Sequence, residues 1–78
     1  MVRNESMKYE DSLYCLMERG MLRMSSAKDV YSLQKARQRT VLEFNEFCAR
    51  NVVSSVVEIS YRSWIDVTYL MLRTYLKE

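Results

Sequence analysis

Residues 52–59 read VVSSVVEI, a segment that sets apolar and polar residues in twos. A half-buried strand alternates them singly, because successive side chains point to opposite faces of the sheet. The doublets satisfy neither face, so the segment reads as a helical corner in spite of the strand propensity of valine and isoleucine. Asn51 stands where a preceding helix can close in the left-handed conformation, and Ser55 with Glu58 has the spacing of a capping box. SVVEI then makes one short helical turn near 55–59, and Ser60 caps a last helix that begins at Tyr61. On this reading the chain is all-α.

Upstream, Tyr9, Leu13, Met17 and Met21 recur every four residues with Leu16 beside them, the stripe of an amphipathic helix. Gly20 is placed to end it, since glycine tolerates the left-handed turn that closes many helices. The first helix is expected over about 6–19, capped by Asn4 or Ser6. Ser26 and Asp29 have capping-box spacing again. Val30, Leu33, Val41, Phe44 and Cys48 keep one face apolar through a second helix of about 26–50. The stripe breaks at QKARQR, so the middle of that helix is expected to project beyond the core as its most cationic part. The third helix, about 61–77, is apolar on more than one face, more than two neighbouring helices can cover. The expected architecture is a single domain, a small bundle of three main helices.

A 78-residue chain hides only about 60% of the surface it exposes when unfolded, and chains of this size gain stability from metals, disulfides or partner subunits. There is no histidine, and Cys15 and Cys48 lack metal-ligand spacing, so neither a metal nor another cofactor is expected. The two cysteines read as buried thiols rather than a bridge, which favours a reducing, cytoplasmic setting. No apolar run approaches the roughly 20 residues of a membrane span, and no membrane partner is expected.

Without histidine the chain lacks the commonest general base and both histidine-dependent nucleophile pairs, and its single glycine excludes a glycine-rich phosphate loop. Glu43 and Glu46, three apart, read as a solvated edge. The chain is not expected to be an enzyme, and no small-molecule substrate is expected. The net charge is +2, but residues 19–39 hold Arg19, Arg23, Lys28, Lys35, Arg37 and Arg39 against Asp29 alone. Such an excess either faces nucleic-acid phosphates or forms a solvated helix face. Two readings follow. In the first, the chain is a non-catalytic, DNA-associated or transcription-regulatory module that contacts duplex DNA through those six residues. In the second it is a small regulatory adaptor, a homodimer or another protein's partner, that associates through Tyr69, Leu72, Tyr75 and Leu76 of the last helix. Trp64 is either a further interface anchor or ordinary core.

From Thr40 onward the chain resembles the N-terminal core-binding, SAM-like domain of tyrosine recombinases. Phe44 and Phe47 stand as the family's aromatic pair, Asn51 as its turn, Ile59 and Ser60 as its Ile-Thr/Ser step, and Trp64 and Ile65 open its last helix. Ser26 and Tyr31 lie farther upstream than their counterparts do. The resemblance implies a DNA-clamping helical bundle whose nucleophilic tyrosine belongs to a separate catalytic domain. A second likeness, carried by MERGMLRMSSAKDVYSL and FNEFCARN, is to small enterobacterial regulators of AraC-type activators, and it implies a protein partner.

Overall fold

The computed structural model describes residues 5–77, with side chains from residue 11 onward. Three helices account for nearly all of it: α1 (Glu5–Ser25), α2 (Val30–Arg50) and α3 (Ser55–Leu76), with no strand among the described residues. Each runs about 32 Å at the usual helical rise. They fold back on one another into a bundle of 52 × 23 × 17 Å, in which α1 and α3 meet more sparsely than either meets α2.

The corner is helical, as the doublet pattern requires, but its details differ. Asn51 is extended (φ −135°, ψ 151°), and it closes α2 with its side-chain amide, which donates to the Phe47 carbonyl at 3.0 Å. Ser54, not Ser55 or Ser60, caps α3 by accepting the Val57 N–H at 3.2 Å. The segment 55–59 is therefore the first turn of α3. Nothing at Ile59 or Ser60 breaks a helix, and Glu58 supports that turn through an ion pair with Arg62 one turn on.

Gly20 does not end α1. The helix continues to Ser25, where the hydroxyl of Ser26 donates to the Leu22 carbonyl at 2.6 Å and its N–H donates to the same carbonyl at 3.1 Å. Asp29 rather than Ser26 caps α2, its carboxylate accepting the Ser32 N–H at 2.7 Å. That bond stabilises the ionised form and holds the Asp29 pKa below its ordinary value. The Asn4 cap lies outside the described residues, as do the side chains of Ser6 and Tyr9.

The middle of α2 does not project. Leu33, Ala36, Thr40, Phe44 and Phe47 form an unbroken buried stripe, completed by two small residues where large apolar ones are missing. Gly20 is buried opposite them. A β-carbon there would sit 2.7 Å from the Thr40 methyl and 3.4 Å from the Trp64 ring, so the glycine is what lets α1 and α2 approach. Above and below this waist lie two apolar clusters, one of Leu16, Phe44, Phe47, Tyr61 and Ile65, the other of Met24, Leu33 and Ala36. Trp64 packs against both, so it is part of the core at its edge.

Candidate interaction surfaces

The six basic residues do not share one face. Arg19 and Arg23, a turn apart on α1, both reach across to Glu43 of α2, at 3.3 and 3.1 Å. Arg23 also donates to the Thr40 hydroxyl at 3.0 Å, and that hydroxyl donates to the Ala36 carbonyl at 2.8 Å, so a polar group in the core is fully bonded. Glu43 is only 17% exposed and ties two helices together; it is no solvated edge, whereas Glu46 is exposed. Arg37 leans the other way, to Asp66 of α3 at 2.9 Å, with its guanidinium 5.2 Å from the Tyr69 ring centre. Exposed Lys28, Lys35 and Arg39 have no ion-pair partner among the described residues, and Lys35 lies 5.6 Å from the Tyr31 ring centre. Lys35 and Arg39 stand a turn apart on the outer face of α2. Arg50, outside the segment singled out by charge counting, lines a shallow groove of about 470 Å³ with Arg19, Arg39, Glu43 and Glu46. That groove is mixed in sign.

Of the four expected interface residues, Tyr69, Leu72 and Leu76 turn inward and pack against Met24, Leu33 and Ala36; only Tyr75, at 85% exposed, faces solvent. The outward face of α3 carries different residues. Val56, Ile59, Val67, Leu70 and Met71 are all more than half exposed. With Ser60, Ser63 and Thr74 they form a strip without a charged side chain along the whole helix, on the side opposite Tyr61, Ile65 and Leu72. Beginning the helix at Tyr61 hid this strip, because Val56 and Ile59 then fall outside it; its seven-residue spacing from Val56 was the readable signal.

The strip continues toward α1. Because α1 and α3 meet sparsely, a groove of about 520 Å³ opens between them, lined by Met17, Met21, Leu22 and Trp64 with Glu18 at its rim. Methionine side chains adapt to the surface of a partner, and a wide apolar face rimmed by polar groups is what a helix-binding surface presents.

The thiols occupy neither surface as a reactive pair. Cys48 is half-buried, and burial, then the Glu58 charge, raises its pKa, so it stays a thiol. Cys15, expected to be buried, is exposed, and both cysteines are free. Among the described residues no cluster could hold a metal ion, and no helix is long and apolar enough to cross a membrane. In comparison with known proteins, the chain matches no family model, no curated sequence and no solved structure.

Proposed function

We propose that this chain is a non-catalytic helical interaction module, a small regulatory adaptor of a reducing compartment that works by protein–protein contact through the outer face of α3. The observation that carries the reading is the uncharged, solvent-facing strip from Val56 to Tyr75. A monomer of this size rarely leaves so continuous an apolar surface bare, since covering it is the cheapest source of binding free energy available. A photo-crosslinking amino acid introduced in place of Val67 or Leu70 should yield protein adducts in cells, while the same group in place of Lys35 or Arg39 should not. Adducts confined to positions 35 and 39, with none at 67 or 70, would reverse the assignment of the working face.

A second reading has its own support: exposed Lys28, Lys35 and Arg39, with no ion-pair partner among the described residues, remain available to phosphates, which is what a DNA-contacting module of the recombinase-like kind needs. With Arg19, Arg23 and Arg37 held by carboxylates, the contact is weaker than six cations would give. Its log-log salt slope is expected near about −3, not the roughly −5 of six contacts. Duplex DNA retention at low salt should disappear on joint Lys35→Glu and Arg39→Glu substitution with helix content unchanged. If the unsubstituted chain retains no duplex at low salt, this second reading is lost.

A further inference from the structure

The outer strip of α3 is complementary to itself, and we infer that its occupant is a second copy of this chain, the two α3 helices packing antiparallel about a two-fold axis. This inference rests on the reading of that face as the working surface. Residues 56, 63 and 70 recur at intervals of seven, and so do residues 60, 67 and 74, the spacing of a narrow seam along which two helices pack. All six are exposed and none is charged.

An antiparallel copy centred between Ser63 and Val67 sets Val56 against Thr74, Ser60 against Leu70 and Ser63 against Val67. Every layer then joins one larger apolar side chain to one small hydroxyl-bearing one, the alternation that lets facing layers interdigitate. A parallel copy would set Ser60 against Ser60 and Ser63 against Ser63, leaving the centre of the seam empty. Self-complementarity of one patch is what a closed two-fold interface demands.

The edges fit as well. On the α2 side the charge nearest the axis is Asp66, which arrives with its own counter-ion, Arg37, 2.9 Å away. On the α1 side Trp64 and Met71 widen the apolar strip toward the groove lined by Met17 and Met21. Val56, Ile59, Val67, Leu70, Met71 and Tyr75, each between 52% and 85% exposed, present on the order of 700 Å², close to the roughly 800 Å² per partner of a standard interface. A highly charged peptide would find no counter-charge along this seam. For a chain of 78 residues with two free cysteines, association also supplies stability that a single thin core does not.

Sedimentation of the full chain from about 1 to 200 µM should show twice the 9.4 kDa of one copy, with a Tm that rises with concentration. Val67→Lys or Leu70→Lys, at positions already exposed in one copy, should weaken association about a hundredfold or more without altering the far-UV spectrum. Tyr31→Lys, which alters an exposed aromatic of α2 outside the seam, should leave it unchanged. In a Cys15→Ser, Cys48→Ser background, a Ser63→Cys chain mixed with a Val67→Cys chain should oxidise to the mixed dimer in preference to either same-site dimer. A monomer across the whole range overturns the second copy, a dimer indifferent to both lysines overturns this face, and dominance of the same-site Ser63→Cys product overturns the antiparallel arrangement. A monomer whose photo-adduct at position 67 is a different protein would remove the second copy while leaving the interaction module standing.

Discussion

Phe44→Ala is expected to bring the chain close to unfolding at 37 °C, with a loss of about 3–5 kcal/mol that lowers Tm by roughly 15 °C or more at fixed protein concentration. Phe44 is fully buried, its ring stacked on Tyr61 at 4.0 Å and 8°, with the Arg62 guanidinium 5.2 Å from its centre. Tyr61 in turn meets the edge of Trp64 at 5.3 Å. Removing the first ring opens a cavity in a stacked aromatic pair that joins α2 to α3, in a domain whose whole stability is of the order of 5–10 kcal/mol. Tyr61→Phe is the informative control. It keeps the stack and deletes a buried hydroxyl that has no hydrogen-bond partner among the described residues, so it should be neutral or stabilising by up to about 1 kcal/mol. It should also change the alkaline limb of the stability profile. Burial, then the nearby Glu43 charge, pushes the Tyr61 pKa from 10.0 up to about 12, so the folded state disfavours the phenolate. The contribution is complete below pH 10 and is lost as pH rises toward 12. In Tyr61→Phe that part of the decline should vanish. Thermal melts that leave Phe44→Ala within a few degrees of the parent would show that the stack does not hold α2 on α3.

The all-α class was legible because the large side chains that decide it are also the ones that periodicity detects. Phe44 and Phe47 before the corner, and Ile65 after it, are buried as the spacing implies. What escaped was carried by small residues and by pairs distant in the chain. Ala36 and Thr40 look like a gap in an apolar stripe until α1 is laid across them, and Gly20 looks like a stop signal until its neighbour is Thr40. Local capping rules then misplaced three boundaries, since Ser26, Ser55 and Ser60 each have a plausible pattern and only the backbone path chooses among Asp29, Ser54 and their neighbours.

Charge was legible as a sum and not as an arrangement. Arg19 and Glu43 are 24 residues apart, and Arg37 and Asp66 are 29 apart, so a count along the segment 19–39 registers cations whose counter-ions lie on other helices. The balance between the two proposed roles shifts for that reason: half of the cationic segment is tied up in ion pairs between helices, while the apolar side chains of the α3 strip remain more than half exposed.

Gly20 and Thr40 offer the sharpest test of the packing. Gly20→Ala should gain about 1 kcal/mol of helix propensity. It should nevertheless destabilise, because the new methyl meets the Thr40 Cγ2 at 2.7 Å, a separation that real β-carbons do not tolerate. Thr40 cannot turn aside cheaply: its hydroxyl is fixed by the Ala36 carbonyl and by Arg23, and a β-branched side chain in a helix has little choice of rotamer. The overpacking cost, typically about 1–3 kcal/mol, is expected near the middle of that range and outweighs the propensity gain, for a net loss of about 1 kcal/mol. The branched Gly20→Val should lose about 3 kcal/mol or more, a fall in Tm of at least about 12 °C. Thr40→Ser alone should cost roughly 1 kcal/mol for the buried methyl while keeping both hydrogen bonds. Combined, Gly20→Ala and Thr40→Ser should restore or slightly exceed the parental stability, because the alanine methyl occupies the space that the threonine methyl vacates. The double-mutant cycle is thus expected to show a coupling of about 2 kcal/mol in the favourable sense. Strict additivity of the two single changes would mean that α1 and α2 do not touch at Gly20, and the two apolar clusters would lose the waist that sets them in register.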